Sequence, residues 1–159
     1  MGSGKDAFYR LAKEINPSIV RVAFADKLKE EVAEATGCCV QYIEHNKKHF
    51  RLILQGWGTD FRRQLTSPLY WVEALETKLR ALPEDSIVFV TDVRFHNEAD
   101  MIRRLGGKII RIVRINHNEQ SNHTSETELV NIVHDEVIVA EHLDELRGIT
   151  RFWMQIEKL

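Results

Sequence analysis

The chain has 159 residues, 43% apolar and 29% charged, with 22 Lys and Arg against 24 Asp and Glu for a net charge of −2. That is the make-up of one ordinary domain with a substantial core, and the even charge excludes a duplex-coating nucleic-acid binder, which needs a cationic excess. No apolar run reaches the roughly 18 residues of a membrane span, residues 1–10 lack the apolar stretch of a signal peptide, and the only cysteines are the adjacent Cys38 and Cys39, so reduced thiols and a cytoplasmic location are expected.

In chain order, residues 6–15 read as a helix that stops before Pro17, and residues 19–25 (IVRVAFA), β-branched and aromatic, as a strand. Residues 27–36 read as a helix with Gly37 placed for a left-handed cap. Residues 43–55 are helical until Gly56-Trp57-Gly58 interrupts them. Ser67-Pro68 opens the next helix, with Ser as N-cap and Pro in the first turn; its Leu69, Val72, Leu75, Leu79 and Leu82 make one buried stripe. Residues 86–91 (SIVFVT) form a strand apolar enough to be covered on both faces. Residues 97–105 are a helix ending at Gly106-Gly107, and residues 108–115 (KIIRIVRI) the next strand. A polar stretch without periodicity, 116–123, reads as a loop, followed by a short helix around 125–132, a strand at 136–140 and a final helix at 150–158. This alternation predicts a parallel α/β sheet with right-handed crossovers, and no linker or repeat marks a second domain.

Five residues near the start carry the most chemistry: Gly2-Ser3-Gly4-Lys5-Asp6, followed directly by a helix. A phosphate loop needs glycines so that backbone N–H groups can converge on phosphate oxygens. It also needs a lysine for the β/γ charge and a helix N-terminus behind it. Gly4 and Lys5 fit the end of that pattern, while Asp6 stands where Ser or Thr normally offers Mg²⁺ a hydroxyl. The pattern's first glycine and the strand before it are not in the sequence, which is expected of a truncated chain or a misassigned initiator.

Several segments, in order, resemble the deoxynucleoside monophosphate kinases of bacteriophages: GSGKD (2–6), FADKLKEEVAEATG (24–37), LQGWGTDFRR (54–63) with YWV (70–72), TDVRFHNEADMIRRLGG (91–107), Val113-Arg114 and HTSE (123–126). The resemblance covers nearly the whole chain, and WGTDFRR and DVRFHNEAD are its specific blocks. Animal-type phosphomevalonate kinases are similar in outline. The resemblance implies a three-layer α/β fold of the P-loop nucleotide-kinase type, with a mostly parallel sheet whose first strand is missing. It implies a single domain over residues 1–159 with a lid-like loop at about 115–128. The reaction it implies is transfer of the γ-phosphoryl of ATP, with Mg²⁺, to a (deoxy)nucleoside monophosphate. A phage-encoded chain would work in the host cytoplasm, on small nucleotides and not on polymeric nucleic acid or membranes, with a homodimer left open.

Phosphoryl transfer asks for positive charge around the oxygens, one or two carboxylates for Mg²⁺, and in-line positioning. Lys5 is expected to neutralise the β and γ phosphates, with the Gly2–Gly4 backbone as cradle. Asp6 and Asp92 are the candidate Mg²⁺ carboxylates. Asp92 and Arg94 follow a covered strand, where α/β sheets bind ligands, so Arg94 is a candidate phosphate clamp. The alternative is that Asp92 caps the next turn with Arg94 paired to it. Asp26 either touches the acceptor or caps the helix from Lys27. One of Arg62 and Arg63 is expected to hold the acceptor phosphate and the other to be solvated or paired with Asp60. Trp57, Phe61, Tyr70 and Trp71 are candidates for base stacking or for the core. Strand alternation separates Arg111 from Arg114, and Arg114, nearer the loop, is favoured to stabilise charge during transfer. Glu126 is expected to position the lid or substrate. His45 and His49 have metal-ligand spacing, but Lys47 and Lys48 between them mark a solvated face. Two rival functions remain: a kinase for another phosphorylated metabolite, and a P-loop-derived binding protein without catalysis.

Overall fold

Residues 4–115 and 131–159, which the computed structural model describes, are mixed helix and strand, compatible with an α/β fold. The elements are α1 (Lys5–Ile15), β1 (Val20–Val22), α2 (Phe24–Thr36), α3 (Val40–His45), α4 (Lys47–Gln55), a π-helix (Gly56–Thr66), α5 (Tyr70–Arg80), β2 (Val88–Val90), α6 (His96–Arg104), β3 (Ile110–Arg114), β4 (Glu136–Ala140) and α7 (Leu143–Ile156). None of the described helices is long and apolar enough to cross a membrane. The chain divides into two compact units, one of Met1–Arg21 with Pro83–Leu159 and one of Val22–Leu82.

In the first unit β3 and β4 pair in parallel, with Ile110 opposite Glu136 and Arg114 opposite Ala140. Side chains alternate across a strand, so Ile110, Ile112, Ile138 and Ala140 share a face, and α1 and α7 pack there through Phe8, Leu11 and Leu146. Phe8 stacks on Phe89 at 6.1 Å and meets the edge of Trp153 at 5.5 Å. The same aromatic group continues to Ala12, Ile19 and Met154. Val20 donates its N–H to the Ile87 carbonyl at 2.8 Å, and β1 neighbours β2. At the far end of β3, Lys108 Nζ bonds both Glu157 oxygens at 2.7 and 2.8 Å, and Trp153 Nε1 donates to Glu136 at 2.6 Å. The second unit is helical, with Val32, Ala33 and Ile43 as its core and Leu28, Phe50, Leu54 and Trp57 packed around them.

Several sequence expectations need correction. The strand expected at 19–25 shrinks to Val20–Val22 because the Asp26 carboxylate accepts the Ala23 N–H at 3.1 Å and starts α2 at Phe24. The strand at 86–91 shrinks to Val88–Val90. The helix at 43–55 is two, parted at Asn46, whose side chain donates to the Tyr42 carbonyl at 2.9 Å. Gly56-Trp57-Gly58 does not interrupt: the chain widens into the π-helix, with Ser67 N–H reaching the Arg62 carbonyl at 2.8 Å. Gly58 is there for close approach, since a Cβ would lie 3.0 Å from Leu28 Cδ2. α5 starts at Tyr70 with Leu69, and not Ser67, as its N-cap and without a side-chain cap. The Ser67 hydroxyl accepts the Leu69 N–H at 3.1 Å in the turn before it, and Leu69 is exposed rather than part of the buried stripe. The last helix begins at Leu143, not 150, because Leu146, Thr150 and Met154 all face the core. The loop at 116–123 lies outside the described residues, as does nearly all of the helix at 125–132.

His134, half-buried before β4, titrates below its ordinary value near 6.5: burial is the main cause, with Arg111 and Arg103 adding to it and Asp135 opposing it. A histidine that resists protonation when folded takes its proton first in the unfolded chain, so stability drops as pH falls from about 6.5 towards the lowered value. The melting temperature is expected to decline over that interval, and His134→Gln to flatten the decline. Superimposable profiles for the two proteins would exclude His134 as the cause.

Candidate active site

In the first unit, two helix N-termini meet the carboxyl ends of the parallel pair. Gly4 turns the chain into α1 at φ 95°, a left-handed conformation that favours glycine, and a Cβ there would sit 3.2 Å from Ile112 Cγ2. No side chain among the described residues caps α1, so its first N–H groups and the positive end of its dipole lie behind Lys5. α7 starts at Leu143 after Glu141 and His142, and the Glu141 N–H is held by Glu145 at 2.7 Å. Between these ends lies a cleft of about 210 Å³, lined among others by Gly4, Arg10, Val113, Glu141, His142 and Leu143. Ligands of parallel α/β sheets bind at such strand ends, and helix N-termini there favour anions. Lys5 is half-buried at the head of α1 and Asp6 is exposed beside it.

Asp92 and Arg94 follow β2 and are half-buried. The turn they occupy is fixed by Glu98, whose buried carboxylate accepts the N–H groups of Arg94 at 2.7 Å and Phe95 at 3.2 Å. The N-terminus of α6 is therefore closed by its own Glu98. Arg114 is the last residue of β3, in register with Ala140, which lines the cleft. Gly2, Ser3 and Glu126 lie outside the described residues, as does the lid-like loop beyond residue 115.

In the second unit the centre is a residue the sequence reading did not single out, Glu31, whose side chain is only 8% exposed. It accepts hydrogen bonds from Arg62 Nε at 2.8 Å, Trp57 Nε1 at 2.9 Å and the Tyr70 hydroxyl. Arg62 is thus paired with Glu31 and not with Asp60. Its guanidinium carbon lies 4.5 Å from the Tyr70 ring centre, 5.2 Å from Phe61 and 5.9 Å from Trp57. The π-helix makes this possible: its wider turn brings residues four and five apart onto one face, which gathers Trp57, Phe61 and Arg62. Burial pushes the Glu31 pKa up, but its hydrogen bonds from Tyr70, Trp57 and Arg62, with the Arg62 charge, outweigh that and hold it below the ordinary carboxylate value. Trp71 belongs to the core, its Nε1 donating to the Gly58 carbonyl at 2.9 Å. Asp26 caps α2, 3.8 Å from Lys78 Nζ. A sequence signal for Glu31 exists: positions 24, 28, 31 and 32 follow the three- and four-residue steps of α2's buried stripe.

Among the described residues no group of three or more His, Cys, Asp and Glu would hold a metal ion. A Mg²⁺ carried in by a nucleotide would need only one or two carboxylates besides the phosphates, and Asp6 and Asp92 are the candidates for that.

The family model for deoxynucleotide monophosphate kinase matches residues 5–148. A protein of Acanthamoeba polyphaga mimivirus, described provisionally as a deoxynucleotide monophosphate kinase, is 38% identical over 69 residues, which are 43% of this chain and 34% of the viral one. The match therefore spans about a third of the viral protein's length.

Proposed function

The chain belongs to the deoxynucleotide monophosphate kinase family, and from that premise we propose that it transfers the γ-phosphoryl of ATP to a deoxynucleoside monophosphate, giving the diphosphate and ADP. The observation that carries this reading is the cleft where the uncapped N-terminus of α1, headed by Lys5, meets the ends of β3 and β4. It suits a P-loop kinase fold in which Gly2, Ser3 and Gly4 cradle the donor phosphates and Lys5 neutralises the β and γ oxygens. Arg10, Glu141 and His142 then border the rest of the donor nucleotide. ATP supplies the phosphoryl group, and Mg²⁺, held with Asp6 or Asp92, screens its charge. Arg94 and Arg114 stabilise the oxygens in transfer, and Glu126 contacts substrate. Asp26 and the Trp57–Arg63 segment serve the acceptor. An acceptor phosphate oxygen is anionic at neutral pH, so it attacks phosphorus without a general base while the bond to the β-phosphate oxygen breaks.

ADP release, coupled to a reporter and driven by ATP, Mg²⁺ and a panel of ribo- and deoxynucleoside monophosphates, tests the reading. The same assay on a chain carrying a complete phosphate loop upstream provides the reference. Acceptor-dependent turnover by either supports the kinase and names the base. Turnover with phosphomevalonate-like acceptors alone moves the protein to a metabolite kinase. Silence from both folded chains overturns the kinase reading and leaves a binding protein.

A further inference from the structure

We infer that Glu31 is a positioning residue for acceptor recognition, aiming Arg62 so that its terminal nitrogens grip the acceptor's phosphate; this rests on the kinase reading above. Arg62 spends only its Nε on Glu31, and its Nη1 and Nη2 donate no hydrogen bond among the described residues. The side chain is 23% exposed, so that edge is reachable. Three rings, Tyr70, Phe61 and Trp57, crowd the guanidinium. What remains open is the pair of terminal nitrogens, the fork that fits two phosphate oxygens.

Glu31 is itself fixed, because Trp57 and Tyr70 donate to the same carboxylate that holds Arg62. A flexible arginine would lose side-chain freedom on binding phosphate; one already held by a carboxylate and three rings has lost it in advance. The carboxylate also repels an incoming phosphate. It lies on the far side of the guanidinium, however, and Coulomb energy falls with distance, so the contacting cation prevails. Arg63 is engaged elsewhere, its Nη1 reaching the Pro68 carbonyl at 3.4 Å. On this proposal Arg62, and not Arg63, serves the acceptor.

The test measures KM for the monophosphate and for ATP separately, with melting temperature alongside. Glu31→Gln keeps the shape but removes the charge, and is expected to raise the acceptor KM roughly tenfold while the ATP KM stays within about twofold. Arg62→Lys, which replaces the fork by a point charge, is expected to raise it further, and by more than Arg63→Ala does. Equal shifts in both KM values, or the reverse order for the two arginines, would overturn the proposal. Should Glu31→Gln fail to fold, Tyr70→Phe removes one donor to Glu31 with little change of shape, and a roughly threefold rise confined to the acceptor KM is expected. An unchanged acceptor KM in Tyr70→Phe would count against the proposal. If no nucleotide is turned over, Trp fluorescence titrations with deoxynucleosides and their monophosphates separate the two ideas. Tighter binding of the monophosphates that Arg62→Ala abolishes supports the phosphate grip without the reaction, and equal binding of both ligands overturns it.

Discussion

Lys5→Ala is expected to lower turnover by roughly a hundredfold to a thousandfold, the loss seen when one donor aimed at developing charge is removed. The position singles it out. Lys5 opens α1 directly after the left-handed Gly4, which lines the cleft, so its charge belongs to the same end as the positive pole of the helix dipole. It forms no ion pair or hydrogen bond with another side chain among the described residues, so its removal takes away little structure. The melting temperature should therefore move by no more than about 2 °C, as for an ordinary surface substitution. A charge with little structural work and a large catalytic effect is the signature of a phosphate-binding lysine. Coupled ADP release and thermal unfolding of the same preparation check both halves. Turnover within about threefold of the parent would remove Lys5 from the donor site. A large drop in melting temperature would make any lost activity structural.

How much of this was legible beforehand follows from which forces are local. β4 was placed to the residue, because Glu-Val-Ile-Val-Ala alternates across a sheet whose inner face takes Ile138 and Ala140. The left-handed Gly37 after α2 was equally plain, since its cause is its own backbone. The start of α7 was not, because Gly148 and the acidic Asp144-Glu145 break the apolar rhythm that Leu146, Thr150 and Met154 complete on folding. The π-helix could not be read from Gly56-Trp57-Gly58, because two glycines so close together read locally as a helix break, and the close approach of Leu28 to Gly58 comes from another helix. The proposed donor side was visible as a loop motif, while the cleft's other wall, Arg10 with Glu141 and His142, exists only once β3 and β4 pair. On the proposed acceptor side the arginines were visible and Glu31 was not. A carboxylate on a buried stripe reads as an interruption until three donors from distant positions converge on it.

Those donors make Glu31→Ala a strongly destabilising substitution in the second unit, expected to cost about 3 kcal/mol. Removing one member of a buried ion pair costs about 3–5 kcal/mol because the other charge is stranded. Arg62 keeps some access to water, which lowers that figure, while Trp57 and Tyr70 each lose an acceptor, which raises it again. Glu31→Ala combined with Arg62→Met should then cost less than the two single changes added together, since the double variant leaves no stranded charge. Urea unfolding of the four proteins measures the coupling, and additive costs would mean that the pair contributes nothing as a pair. Acid provides an independent reading with a definite sign. The folded-state pKa of Glu31 is depressed below about 4.5, so its contribution is fully present above that value and is lost as pH falls through the lower one. Glu31→Gln, which cannot titrate, should lose less stability than the parent over that acid interval. If both fall with the same slope, the three donors do not hold the carboxylate in its charged form.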